Sequence, residues 1–99
     1  MPVLAVNGGQ WQVEIGGDGR TITFNPTSQA RGLNATGTSA LIAAIATYHS
    51  AATIALGVAD AMRVNVGNRG GSVVAATPAD AYTLSATLIG VLTAPANNQ

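Results

Sequence analysis

Hydrophobic and polar residues alternate with a period of two at the start of the chain. Trp11, Val13 and Ile15 interleave with Gln10, Gln12 and Glu14, the pattern of a strand with one buried face. A second such run holds Ile22 and Phe24 between Thr21 and Thr23, and the glycines at 16, 17 and 19 around Asp18 separate the two. Asp-Gly between alternating apolar runs signals a hairpin. An apolar run at 3–6 precedes them, ending at Asn7-Gly8-Gly9. Residues 3–25 therefore read as a β-meander. Trp11, Val13, Ile15, Ile22 and Phe24 form one face, and Gln12, Glu14, Thr21 and Thr23 the other.

The period then changes. Residues 26–37 carry Pro26, Ser28, Gly32, Asn34 and Gly37 and read as a loop. Leu41, Ile45, Tyr48 and Ala52 fall on one helical stripe with Ile42 beside it. With Thr36, Thr38 or Ser39 as cap, this predicts an Ala-rich helix over 39–50 or somewhat longer. Residues 53–66 fit two templates. Ala55, Ala59, Met62 and Val66 continue a helical stripe, whereas Ile54, Leu56, Val58, Met62, Val64 and Val66 keep a period of two. Gly57 and the valines favour a helix ending before 60 and a strand over 62–66.

Glycines at 67, 70 and 71 then suggest a hairpin loop into a strand at 72–76. Thr77-Pro78-Ala79-Asp80 has helix-start chemistry, but Tyr82, Leu84, Ala86 and Leu88 alternate with hydroxyls at 83, 85 and 87. That alternation favours a strand over 81–93, so 62–93 reads as mainly β. Pro95 ends it, and 94–99 is a polar tail.

Composition changes the picture more than any motif does. Charged residues are 8% of the 99 residues, with four arginines, four acids and no lysine, against about 25% in an average soluble domain. The formal net charge is zero, whereas a dispersed monomer carries mixed surface charge and a net excess of one sign. Much of the exterior is thus expected to be covered, by further copies or a fixed partner. Uncharged Thr, Asn, Gln and Ser supply most of the polarity, and such side chains are cheap to bury in an interface once hydrogen-bonded.

No chemistry-specifying motif emerges. The chain lacks cysteine, which excludes disulfides and thiolate metal sites. Four arginines against four acids give no basic patch for nucleic acid. No secretory signal opens the sequence. His49 is the one histidine. No nucleophile-elbow pattern surrounds any serine, and no carboxylate lies at helical spacing from His49, so it reads as a polar tip on a helix flank. Glu14 and Asp18 flank a turn, Asp60 and Asp80 stand alone, and paired-carboxylate catalysis is not indicated. Asn34-Ala35-Thr36 is a chance glycosylation match.

The stretch 40–59 is long enough to cross a bilayer. Thr47, Tyr48, His49 and Ser50 at its centre make insertion expensive, so a membrane-inserting protein is the alternative rather than the main reading. Tyr48 and Tyr82 are interface candidates as large side chains with a polar handle. Arg63 and Arg69 are candidates to pair with acids of a neighbouring subunit.

These observations predict a single α+β domain over 1–99: an antiparallel sheet or small sandwich, made of the meander and C-terminal strands, with one Ala-rich helix packed on it. In texture the chain is similar to small bacteriophage virion proteins, being short, sparsely charged and rich in Ala, Gly, Thr and Asn. The expected function is structural, that of a self-assembling capsid decoration or tail protein. It would act in the virion, assembled in the host cytoplasm, through contacts with itself and other virion proteins. No enzyme activity, cofactor, metal or small-molecule substrate is expected.

Overall fold

The computed structural model describes residues 11–27, 30–50 and 54–99 and shows an α+β fold. Strands β1 (Trp11–Ile15), β2 (Thr21–Pro26) and β3 (Gly71–Val74) form one antiparallel sheet in the order β1-β2-β3. Helices α1 (Ala35–Tyr48), α2 (Ile54–Gly67) and α3 (Pro78–Thr93) follow the same chain, and a 3-10 turn covers Pro95–Asn97. The N-terminal hairpin agrees with the alternating pattern. Val13 pairs with Phe24 and Ile15 with Ile22, and β3 sets Val73 opposite Ile22. These five side chains and Trp11 are buried on one face. Each large one contributes roughly 1.5–3 kcal/mol by leaving water. The apolar run at 3–6 lies outside the described residues.

The turn between β1 and β2 is held by Asp18. Its carboxylate accepts from the backbone N–H groups of Arg20 (2.9 Å) and Thr21 (2.8 Å) and from the Thr21 hydroxyl. Gly16 N–H donates to Thr21 O to close the ladder.

α3 packs on β1 and α2 on β3, while α1 packs on both of these helices. The sheet is thus a single layer with helices on its apolar face, not a sandwich. α1 runs earlier than 39–50. Its cap is Asn34, whose side chain accepts from Gly37 N–H, in place of Thr36, Thr38 or Ser39. Leu41, Ala44 and Ile45 are buried.

Two expected strands are helices. Over 62–66 the helical alternative holds: α2 buries Asp60, Ala61 and Val64 and leaves Val58, Met62 and Val66 exposed. The period-two reading had put Met62, Val64 and Val66 together, but a helical turn sends Val64 inward and the other two out. Over 81–93 the capping chemistry wins. Thr77 Oγ1 accepts from Asp80 N–H at 3.1 Å, and Pro78 occupies the first turn. Buried Ala81, Leu84, Ser85, Leu88 and Leu92 follow helical spacing. Of the hydroxyls that suggested a polar strand face, those of Thr83 and Thr87 donate to carbonyls four residues back, as does that of Thr93, while the buried Ser85 Oγ has no hydrogen-bond partner. Among the described residues there are therefore three α-helices rather than one, and 62–93 is mainly helical.

The segment from 67 to 71 links α2 to β3 and is not a hairpin loop. Nor is 94–99 a free tail. Asn34 N–H donates to Asn97 O (2.8 Å), Asn34 Nδ2 to Ala96 O (2.8 Å) and Gln99 N–H to Gly32 O (3.1 Å). Gly37 permits this docking, since a Cβ there would collide with the Asn97 backbone carbonyl. The 40–59 stretch is not one continuous helix. Its described residues up to Tyr48 lie in α1 and those from Ile54 in α2, His49 caps α1 in extended conformation, and Leu41 and Ile45 are core. Among the described residues, no helix is long and apolar enough to cross a membrane.

The turn carries a pH signature. The Thr21 hydroxyl first, then the Thr21 and Arg20 N–H groups, lower the Asp18 pKa from 3.8 to about 2. A carboxyl whose folded pKa lies below its unfolded one stabilises the fold above the unfolded value and loses that contribution as pH falls toward the folded value. In denaturant unfolding, Asp18→Asn should be less stable than the unmodified protein at pH 5, and the gap should close by pH 2. A gap that does not change over this range would show that the turn carboxylate does not carry the bonds described.

Candidate functional site

The features that set one surface of this molecule apart converge on α2. At its centre is Asp60, an acid with only 1% of its surface exposed. The helix passes close to the edge strand β3, and the Asp60 carboxylate lies directly against Gly71. A Cβ on Gly71 would come within 2.5 Å of the Asp60 carboxyl carbon, so only glycine admits this approach. Asp60 Oδ2 accepts from Ser72 N–H at 3.1 Å and Oδ1 from Arg63 Nη1 at 3.0 Å. Removal from water raises the Asp60 pKa, while the Ser72 N–H and the Arg63 charge act against that rise. Desolvation outweighs its partners, so Asp60 anchors the helix at an electrostatic cost.

Arg63 lies between two depressions. One, of about 360 Å³, has Asp60 and Arg63 on one wall and Thr23, Asn25, Gly70, Gly71 and Ser72 on the other. The second, of about 370 Å³, is lined by Met62, Arg63, Val66 and Arg69. Its apolar side belongs to a stripe at four-residue spacing along α2: Val58 is 42% exposed, Met62 51% and Val66 79%. This is an exposed apolar ridge flanked by two cations. Arg69 N–H donates to Arg63 O, which ties the second cation to the end of the helix.

The sequence-derived candidates thus fall into separate places. Arg63 and Arg69 share a groove, with Arg63 also engaged to Asp60. Tyr82 is 64% exposed on α3 and lies away from that groove. Tyr48, at the end of α1, is half-buried and packs against the core, and its carbonyl accepts from Ala76 N–H. Hydrophobic patterning missed Met62 and Val66 as surface residues because it assigned them to a core face. The 58, 62, 66 spacing beside Arg63 was the available signal. Asp60 was missed because an isolated acid carries no pattern.

His49 is half-buried beyond α1, and its Nδ1 has no hydrogen-bond partner. Among the described residues, no three His, Cys, Asp or Glu side chains come together to hold a metal. The arrangement around α2 can bind, through an apolar ridge and two guanidinium groups. No protein-family model matches the chain, and comparison with curated proteins and with solved structures finds no match either.

Asp60 substitutions should rank by what they leave unsatisfied. Asp60→Ala strips the partly buried Ser72 N–H of its acceptor, a loss of about 1 kcal/mol. Asp60→Asn retains that acceptor and removes the charge that burial penalises, so it should cost less at pH 7 in urea unfolding. Equal losses would mean that the Ser72 bond does not hold α2 to β3.

Proposed function

We propose that this chain is a structural subunit that works by packing against copies of itself, and more specifically a small bacteriophage virion component, a capsid decoration or tail protein that also meets other virion proteins. The carrying observation is the ridge of Val58, Met62 and Val66, aligned on one helix face over an open groove. Single exposed apolar residues are ordinary, but an aligned set beside a groove is the kind of patch that marks an interaction surface. The shortage of charge supports the same reading. With 8% charged residues and zero net charge, little long-range repulsion keeps two copies apart. The virion assignment draws its support from the composition of the chain, and it places the protein in particles assembled in the host cytoplasm. The reading assigns it no catalysis, cofactor or small-molecule substrate.

Light scattering on the purified protein without detergent, over a concentration series, tests self-association. Mass should rise with concentration to a discrete oligomer or a growing polymer, and imaging of that fraction should show rings, tubes or a lattice. A species of 9.8 kDa at every concentration would overturn the proposal.

A further inference from the structure

The charged side chains of this electrically neutral chain are spread unevenly, with most of its arginines at one end and two of its acids at the other. The β1–β2 turn with Asp18 lies at one end of the sheet, where Thr21 pairs with Val74. α3 begins at the same end, with Pro78 close to Gly19. Asp80 stands in the first turn of α3 and Tyr82 one turn along the face of Pro78. Arg20 is the one arginine there, with its Nε donating to Ala75 O. Glu14 sits between the two ends, opposite Thr23, which in turn pairs with Ser72.

The opposite end of the sheet is where Phe24 pairs with Gly71. Arg69 immediately precedes it, Arg63 lies one turn from the end of α2, and Arg31 adjoins Gly32, which packs against the Val64 and Asn65 carbonyls. Asp60 is the one acid at this end, and it is buried. Two acids and one arginine thus lie at one end, three arginines and one acid at the other, with Glu14 between them. The Thr21–Val74 and Phe24–Gly71 pairs that mark the two ends are about 10 Å apart, three residues at a strand rise of about 3.3 Å. That exceeds the screening length of about 8 Å at physiological salt.

We infer that copies of this chain join head to tail, the Met62–Val66 groove of one receiving the end of the next that carries Asp18, Asp80 and Tyr82. The inference rests on the self-association proposed above and specifies its two surfaces. Tyr82 offers an exposed aromatic ring for the Met62 and Val66 side chains, and Arg63 and Arg69 stand where the ring face and the carboxylates arrive. A symmetric pairing of two α2 ridges is disfavoured, because it would set Arg63 and Arg69 against the same arginines with their one nearby acid buried. A contact between unlike surfaces leaves a free groove and a free acidic end on every dimer. It therefore propagates into a ring or a filament, as a subunit of a repeating particle requires.

Blocking each surface separately tests this. Met62→Asp places an acid in the groove, and Tyr82→Arg reverses the end it receives. Both positions are exposed. Circular dichroism checks the fold, and Val66→Asp and Tyr82→Ala repeat each lesion independently. Each variant alone should associate at least tenfold more weakly than the unmodified protein. An equimolar mixture of Met62→Asp and Tyr82→Arg should give a 1:1 complex that does not grow, since one intact groove and one intact acidic end remain between them. If either variant assembles like the unmodified protein, or the mixture stays monomeric, the head-to-tail arrangement is wrong. If the unmodified protein is itself a monomer throughout, self-association has failed as well.

Discussion

The surface of this molecule depends on how α2 is rotated about its axis, and the contact that sets that rotation is Asp60 against β3. With the carboxylate on Ser72 N–H and the helix pressed to Gly71, Ala61 and Val64 must turn into the core, and Val58, Met62 and Val66 must turn out. An apolar residue in place of Asp60 would leave the helix free to rotate its valines and methionine inward, as hydrophobic burial alone would favour. A desolvated acid is an expensive way to fix a helix, and here it holds an apolar ridge in water. The cost is understandable if that ridge has a partner.

The sheet was legible in the sequence because both signals for it were local and agreed: period-two alternation of Trp11, Val13 and Ile15 and of Ile22 and Phe24, and an Asp-Gly turn between them. The body of α1 was legible for the same reason, although its cap was not. Asn34 works as a cap together with the returning 95–99 segment, and that contact is invisible in a local window. α2 and α3 were misread for a different reason. Leu84 and Leu88, or Val58, Met62 and Val66, are four apart, and four is a multiple of two as well as one helical turn. What separates the templates is the burial of Ala81, Ser85, Asp60 and Ala61, small or polar side chains that carry no hydrophobic signal.

The same misreading hid the candidate site. As strands, 62–66 and 81–93 would have buried Met62, Val66 and Tyr82 with their apolar neighbours. As helices, they expose all three and leave the core to Val64, Leu84, Leu88 and Leu92. Arg63 and Arg69 were proposed as subunit contacts on chemistry alone, and the fold sets them around an apolar groove. The zero net charge, read from composition as a lack of repulsion, acquires a direction in three dimensions: one acidic end, one basic end, and an exposed aromatic at the former.

The absence of native cysteine allows a direct test of the central claim that different faces of this chain meet. In a protein carrying both Met62→Cys and Tyr82→Cys, mild oxidation should produce a ladder of covalent oligomers on a non-reducing gel. Each single-cysteine variant should stay largely monomeric, because neither residue meets its own copy. A double variant that yields only monomer, or a single variant that dimerises as readily as the double one extends, would contradict the account.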